Sequence, residues 1–341
     1  VGGTPALKKA IIGKFARENN LNYTPGQIIV GVGAKHVLFN ALLASLDPGD
    51  EVIIPAPFWV SYPEMVTVAE GIPVIVQADA AQGFKMTALQ LDAAITPKTK
   101  WLILNSPNNP TGAIYSPLEL KELAEVLLRH PHVHIMTDDM YEHLRFDHVE
   151  YKTIAEVEPE LFNRTLTVNG VSKAYAMTGW RIGYAGGDAE LISAMNLIQG
   201  QSTTNPSSIS QAAAVAALDG DQSCIDTMRH EYERRRNMMV EKLNECAGLQ
   251  VTAPPGAFYL YVSCAGVIGK TTERGRTIFN EGDFVDYLLG EHNVATVPGE
   301  AFGLSPYFRV TFAVSDEDII ESCTRIKQAC AGLTNKREEV A

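Results

Sequence analysis

Thr165-Leu166-Thr167-Val168-Asn169-Gly170-Val171-Ser172-Lys173-Ala174-Tyr175-Ala176-Met177-Thr178-Gly179-Trp180-Arg181-Ile182-Gly183-Tyr184 begins as a short strand and opens into a segment of small and apolar residues. A lysine just past a strand is ordinarily a solvated surface residue. Lys173 instead lies among small and apolar neighbours, with Arg181 eight positions on. An amine in such surroundings can shed its proton and act as a nucleophile.

The flanking sequence repeats the same strand-then-loop arrangement. Gln27–Val30, Glu51–Pro55, Val74–Val76, Trp101–Leu104 and Val133–Thr137 read as short apolar strands. Helical periodicity runs over Pro5–Glu18, Lys35–Leu46 and Leu118–Arg129, and Asp47-Pro48-Gly49-Asp50 is a turn. Alternating strands and helices predict a three-layer α/β sandwich with a mostly parallel central sheet. A long charged helix is expected over Asp221–Leu243. Beyond it the texture changes: Val251, Phe258–Val262 and Tyr307–Phe312 read as strands, Asp283–Leu288 and Asp316–Ala331 as helices. The expected division is a large domain over residues 1–239 and a small C-terminal α+β domain over residues 240–341, with a polar tail from Asn335 expected to fray.

Composition narrows the function. The chain has 341 residues, room for about two domains. With 28 Lys and Arg against 40 Asp and Glu it carries a net charge of −12 and no basic tract, so neither nucleic acid nor a membrane surface is an expected partner. The apolar run needed to span a bilayer is missing. Five cysteines without a C-x-x-C pair point to free thiols in a reducing compartment, the cytoplasm. His130, His132 and His134 alternate at a strand entry and lack a supporting carboxylate or Cys at ligand spacing, so no metal site is expected.

Ligands of open α/β sheets bind at the carboxyl ends of strands. Gly33, Lys35, Trp59, Asn109, Asp138, Tyr141 and Lys173 each follow a predicted strand. Individually they have bland readings: Asp138 as a helix N-cap, Tyr141 as a half-buried core residue, Asn109 as turn chemistry, Lys35 as an exposed first-turn lysine. Trp59 is harder to dismiss, since it follows Pro55-Ala56-Pro57 in a loop where packing alone is a poor reason for an indole. Gly31-Val32-Gly33-Ala34-Lys35-His36 is a weak dinucleotide fingerprint, because His36 stands where the third glycine belongs.

The Lys173 segment closely resembles the pyridoxal-phosphate lysine segment of the class I aminotransferases, within fold type I. Asn105-Ser106-Pro107-Asn108-Asn109-Pro110-Thr111-Gly112 and Asp138-Asp139-Met140-Tyr141 support the resemblance in the family's order. So do Gly49–Val52, Phe58–Pro63 and Gly256–Tyr259, and the likeness covers nearly the whole chain. It is closest to the bacterial aspartate aminotransferases of subgroup Ib. The resemblance implies that Lys173 carries pyridoxal 5'-phosphate covalently and moves protons at the substrate Cα. It implies that Asp138 pairs with the pyridine nitrogen, that Tyr141 and Asn109 bond its phenolic oxygen, and that Trp59 stacks on the ring and, with Asn109, borders the substrate. Arg181, with Gly33, Ala34 and Lys35 at a helix start, would hold the phosphate. Arg309 would grip the substrate α-carboxylate, and Lys35 the distal carboxylate of a dicarboxylic substrate.

The implied reaction transfers an amino group between an amino acid and a 2-oxo acid, aspartate and 2-oxoglutarate, with prephenate a further candidate. A β-eliminating lyase on the same fold and a non-enzymatic regulator built on it are the rival readings. A homodimer with shared active sites is implied. Two departures stand out. Many relatives have Ser where this chain has Gly170, so either the Gly170 N–H serves the phosphate or other groups share it. The chain also starts inside the family's pattern, which implies a preceding segment that closes over the substrate and lends a tyrosine to the neighbouring subunit.

Overall fold

The computed structural model describes residues 1–335; residues 336–341, most of the tail expected to fray, lie outside the described residues. In chain order the elements of the first part are α1 (Pro5–Asn19), β1 (Ile28–Gly31), α2 (Ala34–Ser45), β2 (Glu51–Ala56), α3 (Ser61–Val68), β3 (Ile72–Gln77), α4 (Ala88–Ala94), β4 (Thr99–Asn105), α5 (Pro117–Arg129), β5 (His134–Asp138), α6 (Ile154–Val157), β6 (Thr165–Gly170), β7 (Gly183–Gly186), α7 (Ala189–Gln201) and α8 (Ser208–Asp219). Then come α9 (Ser223–Asn244), β8 (Tyr259–Ser263), β9 (Lys270–Thr271), α10 (Glu281–His292), β10 (Val297–Pro298), β11 (Tyr307–Thr311), α11 (Asp316–Ala331) and β12 (Thr334–Asn335).

Seven strands form one sheet in the order β1-β7-β6-β5-β4-β2-β3. The pairs from β6 through β3 are parallel, while β7 runs antiparallel to both β6 and β1. Strand alternation builds the layers. Trp101 and Ile103 of β4 face a core shared with Val37 and Leu38 of α2, Tyr62 of α3 and Met195 of α7. Leu102 and Leu104 face the opposite core, with Leu120, Leu123 and Leu127 of α5. Further along that second face, Leu7, Ile11 and Phe15 of α1 cover Ile28 and Val30 of β1. The sheet is therefore buried on both faces, as the near-continuous apolar strands require.

A second sheet, β10-β11-β8, is antiparallel. Leu260, Val262, Phe308 and Val310 from it pack with Met239 and Leu243 of α9, Phe284 and Leu288 of α10, and Ile319 and Ile326 of α11. Helix α9 runs without interruption through residue 240.

Some elements differ from the sequence expectation. Strand β7 is not anticipated, because glycines at both ends hide its β character. Helices α7 and α8 bury few large apolar side chains, Ile192 and Met195 in one and Leu218 in the other, so their periodicity is faint. Val251 lies outside any strand.

Candidate active site

Three parallel strands end side by side. Asn105 of β4 is the register partner of Asp138 of β5, and Asp138 that of Val168 of β6. Their carboxyl ends, the N-terminus of α2 and Arg309 on β11 enclose a cavity of about 250 Å³. Lys173, Asp138 and Tyr141 line it from the central strands. Lys35, Trp59 and Arg181 line one side, and Asn109 and Arg309 another. Ala34 also lines it, whereas Gly33 sits just behind as the residue preceding α2.

Asp138 is buried. Its Oδ2 accepts from Tyr62 Oη at 2.6 Å, its Oδ1 from the Met140 N–H at 3.4 Å, and its carbonyl oxygen from Asn105 Nδ2 at 2.8 Å. Burial raises its carboxyl above the ordinary range; Tyr62, the Met140 N–H and the nearby Lys173 charge oppose that shift. Lys173 is lowered below the usual lysine range chiefly by burial, with Asp138 opposing and Arg181 and Arg309 adding to the decrease. Among the described residues its amine makes no hydrogen bond; it lies 5.3 Å from the Phe258 ring centre and 5.7 Å from that of Tyr141. An amine so placed is a competent nucleophile and base.

Arg309 is held between two rings, its guanidinium carbon 4.5 Å from the Tyr259 centroid and 4.8 Å from that of Phe302. Its Nη1 donates to Asn109 Oδ1 at 2.7 Å, which leaves the Asn109 amide free to donate elsewhere. Tyr141 and Tyr259 share a hydroxyl hydrogen bond of 2.9 Å, and burial keeps the Tyr141 phenol protonated. The Lys35 ammonium rests 4.7 Å over the Trp59 ring.

The start of α2 is suited to receive an anion. Gly33 has φ +88°, and a Cβ there would lie 2.4 Å from Arg181 Nη2, so only glycine lets the guanidinium approach the start of α2. The first N–H groups of that helix have no partner within it. At Gly170 a Cβ would come within 2.8 Å of the Ile182 carbonyl oxygen, which leaves no room for serine. The Gly170 N–H is already given to Asn169 Oδ1 at 2.7 Å. Ser172 and Thr178 line the cavity there instead.

Sequence reasoning assigned no role to Tyr62, Tyr259 or Asn105. The two tyrosines are tied to the site by partners far along the chain, Asp138 and Tyr141, so local spacing carries little signal for them, whereas Asn105 opens the Asn105–Gly112 stretch and accepts from the Asn109 N–H at 2.8 Å. The tyrosines do lie in stretches that resemble the family, Phe58–Pro63 and Gly256–Tyr259.

A lysine and a buried carboxylate at the strand ends of a doubly covered sheet, faced by a clamped arginine from the second sheet, define the class: an α/β enzyme with a site suited to a small anionic substrate. Residues 1–326 match the family of class I and II aminotransferases, and the chain belongs to that family. The chain is 58% identical over 334 residues to the aspartate/prephenate aminotransferase of Cereibacter sphaeroides, spanning 98% of this chain and 84% of that protein. It is 56% identical to the aspartate aminotransferase of Rhizobium meliloti, spanning 97% and 81%. The crystal structure of aspartate aminotransferase from Rhizobium meliloti superposes with a TM-score of 0.96 at 56% identity, covering 98% and 83% of the two chains. A Thermus thermophilus aspartate aminotransferase with maleate gives 0.89 at 40% identity, covering 96% and 82%. The protein is an aminotransferase, and the lyase and regulator readings fall away.

Proposed function

We propose that the protein is a pyridoxal 5'-phosphate-dependent transaminase that moves the amino group of L-aspartate to 2-oxoglutarate, with prephenate as a further acceptor. The convergence of Lys173, Asp138 and Arg309 on one cavity carries this reading. The names of the relatives support the choice of substrates.

The residues present fit the cofactor. The cradle of Arg181, Gly33, Ala34 and Lys35 suits a phosphate dianion, with Ser172 and Thr178 sharing it. Asp138 suits a ring N–H, Trp59 a ring face, and Tyr141 with the free amide of Asn109 a phenolate oxygen. When bound, pyridoxal phosphate supplies an electron sink for charge developing at the substrate Cα and a carbonyl carbon that carries the amine. Arg309 binds the α-carboxylate as a fork and fixes the amino acid. Its bond to Asn109 and the two flanking rings hold that fork before substrate arrives. Lys173 Nζ, neutral more readily because it is half-buried, takes the proton from Cα. Tyr62 holds the Asp138 carboxylate in place.

The chain is read as a cofactor domain over residues 1–239 and a smaller domain over residues 240–341, supported by the separation of the β10-β11-β8 sheet from the seven-stranded one. Five free cysteines support a cytoplasmic location. Trp180, Leu197 and Ile209 are exposed, at 45%, 70% and 74%, and support a homodimer with shared active sites. A single-chain mass by light scattering at micromolar concentration would count against the dimer.

The direct test is an absorbance spectrum of the purified holoenzyme before and after L-aspartate. Loss of the lysine-bound cofactor band, with its return on adding 2-oxoglutarate, is the expected result. A spectrum unmoved by either addition would overturn the reading.

Substrate choice separates two roles for Lys35, which makes no ion pair among the described residues. Removing one charge-assisted contact costs about 1.5–3 kcal/mol, roughly ten- to a hundredfold. Lys35→Ala is expected to lower kcat/KM by that factor for aspartate and glutamate while leaving phenylalanine unchanged. Arg309→Ala is expected to depress all three. Equal losses for all three in Lys35→Ala at saturating cofactor would instead assign Lys35 to the phosphate end.

A further inference from the structure

Behind the cavity lies a buried ionic cluster that the reaction does not use directly. Lys14 of α1 is fully buried, and Glu142 is only 4% exposed. The Lys14 ammonium meets Glu142 Oε1 and donates to Asn19 Oδ1 at 2.8 Å. Asn19 Nδ2 donates to Glu142 Oε2 at 2.8 Å. Asn169 Nδ2 donates to Glu142 Oε1 at 2.8 Å. One carboxylate therefore gathers three elements: α1, the loop after β5, and the end of β6.

The two loops so joined are those of the chemistry. Glu142 directly follows Tyr141 and closes a turn begun at Asp139, to whose carbonyl oxygen its N–H donates at 3.1 Å. Asn169 precedes Lys173 by one short turn of chain, and its Oδ1 takes the Gly170 N–H. We infer that the Lys14–Glu142 ion pair is a positioning device, setting the loop of Asp138 and Tyr141 against the strand end that leads to Lys173. This rests on the transaminase reading of those residues.

The cluster is built for a fixed charge pair. Burial alone would raise the Glu142 carboxyl; Lys14 and the nearby His143, with hydrogen bonds from Lys14 and Asn19, outweigh it and hold the group ionised. Glu18, Glu142 and His143 offer ligand atoms within 4.8 Å of one another, the arrangement of a metal site. The Lys14 ammonium, touching Glu142 and 3.6 Å from Glu18, already supplies the cation there. Buried ion pairs give little net stability compared with apolar replacements, yet half of one is costly. Placement of the attached loops is the function that remains for it.

The test uses the full chain in three forms: parent, the double variant Lys14→Met with Glu142→Met, and Asn169→Ala. The double variant leaves no lone buried charge but takes partners from the buried Asn19 and Asn169 amides, so its thermal midpoint is expected to fall while the fold is kept. Its kcat with aspartate is expected to fall roughly ten- to a hundredfold with little change in KM, the signature of misplaced reacting groups. The pH midpoint of the bound cofactor's absorbance change is expected to move. In the cofactor-free protein, amide hydrogen exchange is expected to quicken over residues 139–144 and 169–173 and not in the β10-β11-β8 sheet. Asn169→Ala removes the link to Glu142, and with it the acceptor of the Gly170 N–H, while keeping the pair, and is expected to show the same pattern more weakly.

Parental kcat and an unmoved absorbance midpoint in the double variant would overturn the proposal, as would faster exchange spread evenly over the chain. Should the double variant not fold, the same readings on Asn169→Ala decide. If the parent itself shows no spectral response to aspartate, the reaction reading fails, while the exchange pattern still judges the positioning role.

Discussion

Lys173→Ala is expected to abolish multi-turnover transamination. The amine lines the cavity half-buried, is lowered in pKa chiefly by that burial, and is free of hydrogen bonds among the described residues. In the proposed reading two separate tasks depend on it, covalent attachment of the cofactor and removal of the Cα proton, so the two losses fall on one atom. Positioned general bases contribute roughly a hundred- to ten-thousandfold, and loss of the nucleophile is added to that. Borohydride reduction of the parent holoenzyme followed by peptide mapping is expected to place the label on Lys173. The rival amine is Lys35, which also lines the cavity but sits exposed over Trp59 at the mouth, where its charge is solvated. A label on Lys35 would sink the assignment. Lys173→Ala that kept turning over at more than a trace would do the same.

The candidate site divides into what is legible locally and what is not. Asn109, Asp138 and Lys173 can be found from sequence because each stands just past an apolar run, and parallel strands carry their sites at that end. The order and hand of the sheet bring those positions together without further information. Arg309 is legible for another reason: a charge between Phe308 and Val310 needs a partner. Tyr62 is not legible in this way. Its hydroxyl meets Asp138 across 76 residues of chain, and from its own surroundings it is one more apolar position on α3. Lys14 and Glu142 lie 128 residues apart and read as a surface lysine and a surface glutamate until the fold buries both. Strand β7 fails for a related reason. Its glycines are explained by what crosses them, since a Cβ on Gly183 would lie 2.1 Å from the Ala34 nitrogen, and close approach between distant segments leaves no periodic trace.

Asp138→Asn is expected to slow the chemical step by several powers of ten while leaving the fold intact. The substitution preserves shape and the stronger hydrogen bond, since the amide oxygen can still accept from Tyr62 while the long contact from the Met140 N–H is lost. What it removes is a negative charge aimed into a water-poor cavity. Burial makes that charge costly, which is why the carboxyl is raised, and the same burial makes it effective once a ring N–H faces it. A preorganised charge of this kind is worth several kcal/mol at the transition state, and each 1.36 kcal/mol is about tenfold in rate. Tyr62→Phe is expected to lose far less, because it loosens the carboxylate without discharging it. The neighbouring Asp139 supplies the control. It is buried too, but does not line the cavity; burial and Glu142 push it up to about 8, so it is held largely neutral at pH 7. An amide in its place changes little charge, and Asp139→Asn is expected to keep near-parental turnover. Single-turnover rates with aspartate decide between the two carboxylates. If Asp139→Asn lost the chemical step and Asp138→Asn kept it, the anion facing the ring would be the other member of the pair.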